Sequence, residues 1–214
     1  VFGMSDGLTS NVLLVIGFAG SGVAAGVVRL AGVAGAVAGA VSMAAGEWIS
    51  ISAQNELVIR ELEVERRELG RNPEAEQREL AGMYRDHGME ADTAERAASD
   101  VMRDTERALT VHVREELGVD PHELPSAWQA AALSFLCFVA GAVLPVIPWF
   151  GGHGNGAAAA SVLLGVAAAA ALGFSIGQFA ERNRLWAATR QVLILLVACV
   201  ITYGIGKALG VSVS

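Results

Sequence analysis

The sequence predicts an all-α membrane protein in which five transmembrane helices carry a charged helical insert between the second and the third. Three observations indicate this fold class. The chain has 214 residues, of which 53% are hydrophobic and only 17% are charged. Of the 37 charged residues, 29 fall within positions 56–123, so the rest of the chain forms long apolar tracts, and the charged block is rich in helix-forming Glu, Arg, Ala and Leu. An ordinary soluble domain, with roughly 25% charge spread along its sequence, is excluded.

The first two apolar tracts predict spans at residues 7–28 and 30–55. Crossing about 30 Å of hydrocarbon takes about 20 helical residues, which both tracts supply. Arg29 separates the two tracts, and Glu47 is the single charged residue inside the second. Because residues 48–69 contain neither Gly nor Pro, the second helix is expected to continue beyond the membrane. A single helix of residues 30–69 would be about 60 Å long.

The uncharged stretch of residues 124–180 predicts two further spans, and the last part of the chain predicts a fifth. Pro145, Pro148 and the glycine-rich segment 151–156 divide the stretch into two helices. A short charged turn at 181–184 precedes the fifth span. The expected spans three, four and five are residues 126–147, 157–180 and 185–209.

The insert is expected to contain three helical pieces, because breaking residues interrupt it at three places. Gly70 with Asn72 and Pro73 ends the first piece, Gly88 ends the second and Gly118 ends the third. The pieces are the continuation of span two to Leu69, residues 74–87 and residues 92–117.

Five spans place the two ends of the chain on opposite sides of the membrane. The chain then divides into spans one and two (1–55), the insert (56–123) and spans three to five (124–214). The arginines of the insert and of the turn before span five fall on the same side, which the positive-inside rule assigns to the cytoplasm. The N-terminus and the insert are therefore expected to be cytoplasmic. A chain so rich in Ala, Gly and Arg favours a bacterial plasma membrane.

The composition and the missing motifs exclude several functions. The insert carries ten arginines against 19 acidic residues, so the basic patch that nucleic acid requires is absent. There is no Walker loop, dinucleotide-binding glycine pattern, Cys-x-x-Cys or His-Glu-x-x-His, and we expect neither enzymatic activity nor a cofactor. Cys137 and Cys199 lie in separate apolar tracts and predict buried thiols rather than a disulfide framework. The first apolar tract lacks the basic start of a cleavable signal peptide.

Ionisable residues within spans are costly and therefore mark candidate functional sites. Asp6 opens the first span, and Glu47 lies in the second, one turn after Met43. A carboxylate and a thioether on one helix face suit a borderline metal such as Fe²⁺ better than Mg²⁺ or Ca²⁺. Gly35 and Gly39 extend the same face and predict close helix packing beside it. The alternatives are N-capping for Asp6 and simple packing for Met43.

Acidic residues also recur at helical spacing in the insert, so that each pair projects from one helix face. Packed helices would bring these carboxylates together, and their repulsion would need protons or a divalent cation as compensation. A cluster of carboxylate oxygens binds Fe²⁺, Mn²⁺ or similar ions. The alternative is a set of solvated helix faces neutralised by nearby arginines. The pairs are Glu61 with Glu65, Glu65 with Glu68, Glu76 with Glu79, and His112 with Glu115 and Glu116.

Several segments resemble the vacuolar iron transporter family, and the resemblance covers nearly the whole chain. The segments include DGLTSNVLLVIGFAGSG in span one, GAVSMAAGEWISISAQNE in span two, ALTVHVREELG near the end of the insert and AAALSFLCFVAGAVLPVIPW in span three. The resemblance implies a homodimer of five-span subunits that exchanges cytosolic Fe²⁺, and often Mn²⁺, for protons. It also implies that the dimer interface forms the pathway.

The same resemblance implies roles for particular residues. Asp6 and Met43 match pathway residues of the family, with Glu47 beside them, and His112 stands where relatives carry methionine. The residues that fall at the family's cytoplasmic metal-binding glutamates are Glu65, Glu68, Glu76, Glu79 and Glu116, with Glu115 as a neighbour.

Residues and resemblance together predict a transporter that exports divalent metal, Fe²⁺ and also Mn²⁺, from the cytosol by proton antiport. In this hypothesis the insert collects the cation and delivers it to Met43 and Glu47, while carboxylates exchange metal for protons. One alternative is a membrane-anchored metal sensor or store whose spans only anchor and dimerise it. Another is a passive channel, which would not move metal uphill.

Overall fold

Helices account for all regular structure in residues 2–121 and 123–210, the part of the chain that the computed structural model describes. The first two helices are α1 (Phe2–Gly20) and α2 (Ala25–Arg71). The turn between them contains Gly22 in a left-handed backbone conformation, with φ at 78°. Few residues other than glycine adopt this conformation without strain, so the chain changes direction here.

The predicted boundary between the first two spans at Arg29 is wrong. The first helix begins at Phe2 and ends at Gly20, instead of covering residues 7–28, and Arg29 lies in the second turn of α2. The local signal for the break is the Ser21-Gly22 pair, whose amides close the last turn of α1. The charge of Arg29 therefore lies inside α2 and does not mark the boundary.

α2 is one uninterrupted helix of 47 residues, about 70 Å long. This confirms that span two continues into the charged block as a single helix. The helix ends at Arg71, two residues later than predicted, and the following Pro73 begins the next helix. Proline is favourable at that first position because the missing N–H would have no partner within the helix.

The charged block continues with three helices, where two were expected after α2. They are α3 (Pro73–Asp86), α4 (Ala91–Val101) and α5 (Thr105–Leu117). The prediction of one helix over residues 92–117 is therefore wrong. Asp104 interrupts it, because its carboxylate accepts a hydrogen bond of 2.9 Å from the Arg107 amide and caps α5.

The second half of the chain contains α6 (Ala127–Val143), a 3₁₀ turn (Leu144–Val146), α7 (Pro148–Gly151), α8 (Gly154–Phe179) and α9 (Arg184–Leu209). These bounds confirm the predicted spans three to five within a few residues. Asn183 caps α9 through a 3.1 Å hydrogen bond from the Trp186 amide.

Within residues 2–121 and 123–210, five helical segments are long and apolar enough to cross a membrane, which confirms the all-helical fold with five candidate spans. Large apolar side chains face outward on them, and Leu163, Leu185 and Val200 are each 69 to 73% exposed. Apolar surface of this extent is typical of helices that span a membrane. The segments are Phe2–Gly20, the apolar part of Ala25–Arg71, Ala127–Gly151, Gly154–Phe179 and Arg184–Leu209.

The chain forms two compact units. Val1–Trp48 with Trp128–Ser214 make up the membrane unit, and Ile49–Ala127 make up the insert unit. The division predicted from the sequence, at residues 55 and 123, stays a prediction, and its outer ends at residues 1 and 211–214 lie outside the described residues.

In the membrane unit, α1 packs on α8 and α9 through a cluster that includes Leu8, Val12 and Leu195. α1 also lies directly against α6. A side-chain carbon on Gly7 would overlap the backbone of Phe138, and one on Gly141 would overlap the backbone of Met4. The two glycines therefore permit a close approach of α1 and α6 that no larger residue would allow.

Two small cores stabilise the insert unit. Leu69 at the end of α2 packs against Ala108, Leu109 and Val113 of α5. α3 and α4 pack together through Leu80, Ala81 and Ala98. These contacts fix which faces of α2, α3 and α5 point inward.

Candidate metal centre and membrane groove

Three helices of the insert unit bring acidic residues and a histidine to one point. Glu65 lies on α2 one turn before Leu69, and Glu76 lies on α3 one turn before Leu80, so both share a face with a core leucine. His112 lies on the buried face of α5, and its exposed fraction is 0%. The hydrophobic contacts of these helices thus force polar side chains to converge.

His112 is the centre of this group, which we call the insert cluster: Glu65, Glu76, His112 and Glu116. The His112 Nδ1 atom lies 3.1 Å from Glu65 Oε1, 3.9 Å from Glu76 Oε2 and 4.0 Å from Glu116 Oε1. One ligand atom from each of Glu65, His112 and Glu116 lies within 4.8 Å of the others, as a shared metal ion would require.

The buried polar atoms of the cluster have little else to bind. Glu65 Oε1 and both ring nitrogens of His112 make no hydrogen bond with any described residue, since the 3.1 Å contact lacks hydrogen-bond geometry. Buried polar groups without partners are costly, and native structures usually satisfy them. Three polar atoms without partners, close together in space, are typical of a site whose atoms bind a ligand.

Burial and mutual repulsion raise the pKa values of the cluster carboxylates. Burial, followed by the charges of Glu116, Glu76, Glu68 and Glu79, raises the pKa of Glu65 from 4.5 to about 7. Burial is also the largest cause of the raised pKa values of Glu76 and Glu116. A divalent cation would relieve the repulsion and compensate the lost solvation at once.

Burial lowers the pKa of His112, although the charge of Glu79 acts in the opposite direction. The imidazole is therefore neutral at neutral pH, and a neutral imidazole offers a lone pair to a metal. A ligand set of carboxylate oxygens with one imidazole nitrogen suits Fe²⁺, Mn²⁺, Co²⁺ or Zn²⁺. Mg²⁺ and Ca²⁺ prefer ligand sets that consist of oxygen atoms alone.

The other predicted ligands of the insert lie farther out. Glu68 and Glu79 are exposed, and they act on the cluster through their charge. Glu115 lies against His87 instead, with its Oε2 3.4 Å from His87 Nδ1. Adjacent residues on a helix point about 100° apart, so Glu115 and Glu116 do not face the same partner.

A second group of polar residues lines a groove between α1, α2 and α6 in the membrane unit. Its volume is about 470 Å³. Asp6 and Met43, the two predicted pathway residues, lie on opposite helices of this groove, and Ser10 and Ser42 add hydroxyl groups. The remaining lining residues are Phe2, Asn11, Leu14, Gly35, Gly39 and Phe138.

Asp6 is not an N-cap, since it is the fifth residue of α1. Its carboxylate therefore lies within the helix and lines the groove. Glu47 is one turn beyond Met43 on α2 and is half-buried, but it does not line the groove. The structure thus brings Asp6 and Met43 together and leaves Glu47 beside them.

Gly35 and Gly39 lie where α2 meets α1 and α6. A side-chain carbon on Gly35 would overlap Leu14 and come within 2.9 Å of Asn11 Oδ1, and one on Gly39 would overlap the ring of Phe138. Both glycines therefore allow close packing at the wall of the groove.

Asn11 was not among the predicted site residues, because the prediction for the spans rested on ionisable residues and on their neighbours on the same helix face. Asn11 is 2% exposed and lies in the middle of α1. An amide within an apolar span was a visible signal, since every polar group there needs an internal partner.

A sequence model of the VIT family matches residues 1–207. The chain belongs to the VIT family. The resemblance inferred from the sequence is thereby confirmed over nearly the whole chain.

Curated relatives in the VIT family have similar length. Vacuolar iron transporter 1 of Eucalyptus grandis is 29% identical over 209 residues, which cover 97% of this chain and 84% of the relative. Vacuolar iron transporter 1 of Arabidopsis thaliana is 27% identical over 208 residues, covering 97% and 83%. The vacuolar iron transporter of Acanthamoeba castellanii is 33% identical over 185 residues, covering 85% and 69%. These relatives are named as transporters, in agreement with a chain that is not an enzyme and has no cofactor.

Proposed function

We propose that this protein transports divalent metal cations, Fe²⁺ and also Mn²⁺, out of the cytosol in exchange for protons. The observation that carries the proposal is the groove of the membrane unit, where Asp6 and Met43 face the same space. A carboxylate inside an apolar unit has no packing advantage, and with the thioether of Met43, which also packs against the Phe138 cluster, it forms a suitable ligand pair for a borderline cation.

The insert cluster collects the cation in this mechanism. Its carboxylates repel one another when no cation is bound, so binding a cation releases strain as well as forming ligand bonds. His112 adds a nitrogen ligand, which favours transition metals over the far more abundant Mg²⁺. The predicted ligands Glu68, Glu79 and Glu115 surround the cluster and raise the local concentration of cations.

Proton exchange follows from the chemistry of carboxylates. A carboxylate binds either a proton or a metal ion, so release of metal into an acidic compartment is coupled to proton uptake. Asp6 in the groove, with Glu47 one turn beyond Met43, supplies carboxylates for this competition within the membrane unit. A passive channel would lack the coupling.

We further propose a homodimer, in which a second copy covers the open side of the groove. The groove exposes Asp6 and Ser42 within the spans, where other exposed side chains such as Leu163 and Val200 are apolar. Lipid chains cannot satisfy these polar groups, whereas the same groove of a second copy can. The N-terminus and the insert would face the cytoplasm of a bacterial plasma membrane, as the distribution of arginines suggests.

The main test is transport by the purified protein in liposomes. With an acidic lumen and a metal-sensitive dye inside, we expect Fe²⁺ or Mn²⁺ to accumulate against its gradient and a protonophore to abolish the accumulation. Metal uptake that is equally fast with and without the pH gradient would refute proton antiport. An absence of flux, with metal still bound by the insert cluster, would favour the membrane-anchored sensor or store.

A further inference from the structure

Asn11 occupies an unusual position at the inner wall of the groove. Its Nδ2 group donates hydrogen bonds to two backbone carbonyls, at 3.0 Å to Gly32 of α2 and 2.5 Å to Ala142 of α6. Ala142 precedes the 3₁₀ turn that contains Pro145, and proline has no N–H for the carbonyl three residues before it. The amide nitrogen of Asn11 therefore holds α1 against α2 and α6.

The oxygen of the same amide has no such task. Asn11 Oδ1 is buried and makes no hydrogen bond with any residue that the structure describes. The orientation of the amide is fixed, because a flipped amide would place its oxygen against the two carbonyl oxygens. Oδ1 lies beside Gly35, where an added side-chain carbon would come within 2.9 Å of it.

Asn11 and Gly35 both line the groove that contains Asp6 and Met43. Oδ1 is buried at the wall of this groove beside the end of Leu14, and no side chain of α2 covers it at Gly35. Asn11 lies five residues beyond Asp6 on α1, which corresponds to about 7.5 Å along the helix axis. An amide carbonyl oxygen is a neutral ligand that divalent cations accept in proteins.

We propose that Asn11 Oδ1 is a ligand of the transported divalent cation, at a deeper position in the groove than Asp6. This inference rests on the proposed function. The oxygen binds the cation directly or through a water of its hydration shell. Because the ligand carries no charge, it holds the cation less firmly than Asp6 does and lets it move on.

The test measures a metal preference, because the overall rate would also fall if Asn11 only supported the fold. When an oxygen ligand is lost, the Met43 sulfur makes up a larger share of the remaining ligands. The rate of Mn²⁺ transport should therefore fall more than the rate of transport of the softer Cd²⁺. In liposomes that contain the full chain, we expect Asn11→Leu to lower the ratio of Mn²⁺ to Cd²⁺ transport by about tenfold, the usual scale for loss of one group at a metal site.

A second variant covers the case that Asn11→Leu does not fold. Gly35→Ala retains the Asn11 amide but adds a methyl group that overlaps the end of Leu14 and lies 2.9 Å from Oδ1, and the ratio should fall in the same direction. Gly26→Ala is the matched control on α2, since its methyl group would meet only Arg29 at 3.8 Å. We expect this control to keep the ratio of the unmodified protein.

The outcomes separate the inference from the function on which it rests. Equal losses for Mn²⁺ and Cd²⁺, or no losses, in a folded Asn11→Leu or Gly35→Ala protein would overturn the role of Oδ1 and leave the transport function standing. If the unmodified protein moved neither metal, the proposed function would fail and the inference with it.

Discussion

The insert cluster and the membrane groove present ligands to the same class of cation in opposite ways. The cluster concentrates Glu65, Glu76 and Glu116 around one imidazole, and burial, followed by the charges of neighbouring glutamates, raises the pKa of Glu65 to about 7. Among the described residues that line the groove there is one carboxylate, Asp6, together with a thioether and an amide. A charge inside a span costs about 2.5 to 3.5 kcal/mol on insertion scales, so a pathway through a membrane is expected to contain few carboxylates. The insert, which lies outside the spans, can contain many more charged residues at a lower cost in free energy.

This contrast suggests a division of labour. Many anionic ligands hold a cation firmly and suit capture at low concentration, whereas few and partly neutral ligands let it pass. Variants in the two regions should therefore change different transport constants, and the following experiments test that separation.

The largest effect is expected for Asp6→Asn. The groove then has no carboxylate for the cation or for the exchanged proton, and we expect kcat for Mn²⁺ transport to fall by roughly 100-fold, the upper end for loss of one metal-site group. Metal binding by the insert cluster, measured by calorimetry on the same protein, should stay as it is. Retained transport would show that the groove is not the pathway.

A smaller and different effect is expected for Glu65→Gln. The variant removes one charged ligand from the cluster, so KM for the cation should rise by about tenfold while kcat at saturating metal is kept. Glu63→Gln is the matched control, since Glu63 is an exposed residue of the same helix. If Glu65→Gln lowered kcat and left KM unchanged, the roles of cluster and groove would not be separate.

The cluster should also respond to pH, with a sign that follows from its raised pKa values. The folded protein without metal holds protons that the unfolded chain releases above about pH 4.5, the ordinary value for Glu65. Stability from this source is complete below pH 4.5 and is lost as the pH rises through about 7. We therefore expect the metal-free protein to unfold at a higher temperature at pH 5.5 than at pH 7.5.

A divalent cation should reverse this pH dependence, because it binds the deprotonated carboxylates. Thermal unfolding with and without Mn²⁺ checks both signs, and Glu65→Gln should weaken the dependence. A metal-free protein that is more stable at pH 7.5 would contradict the electrostatic account of the cluster.

His112→Met is expected to act mainly on selectivity. It replaces a nitrogen ligand by a softer sulfur, so the insert should lose about tenfold in affinity for Zn²⁺ and much less for Cd²⁺. Competition between the two ions, followed by calorimetry, gives the ratio directly. An unchanged ratio would mean that His112 does not coordinate the metal.

The smallest effect is expected for Glu115→Gln. Glu115 lies against His87 and not in the cluster, so its removal should change metal affinity by no more than about twofold, as a distant surface charge does. A loss as large as that of Glu65→Gln would show that Glu115 turns toward the cation when metal binds.

The spans could be predicted from the sequence because apolar length and charge report directly on lipid. The convergence of Glu65, Glu76 and His112 was also foreseeable in part, since each residue lies at helical spacing from an apolar residue that packs inward. The sequence could not show whether Glu115 or Glu116 faces inward, because that depends on how α5 is rotated against α2.

Other details depended on weaker local signals. The break after α1 is specified by Ser21-Gly22, a signal that the nearby charge of Arg29 concealed. Asp104 divides the third predicted piece of the insert without any Gly or Pro. Asn11 was missed because neutral polar residues are common in spans, and its unsatisfied oxygen becomes visible only when Gly32 and Ala142 are seen to occupy its nitrogen.

The reciprocal contact of Gly7 with Phe138 and of Gly141 with Met4 has a mechanical consequence. Backbone touches backbone at both points, and the Asn11 amide ties the same two helices a little farther along. There are no flexible side chains at these points to absorb sliding or tilting, so α1 and α6 must move as one piece during a transport cycle. The Asn11 hydrogen bond to Gly32 holds α2 against this pair, so a change in the width of the groove at α2 would have to stretch that bond.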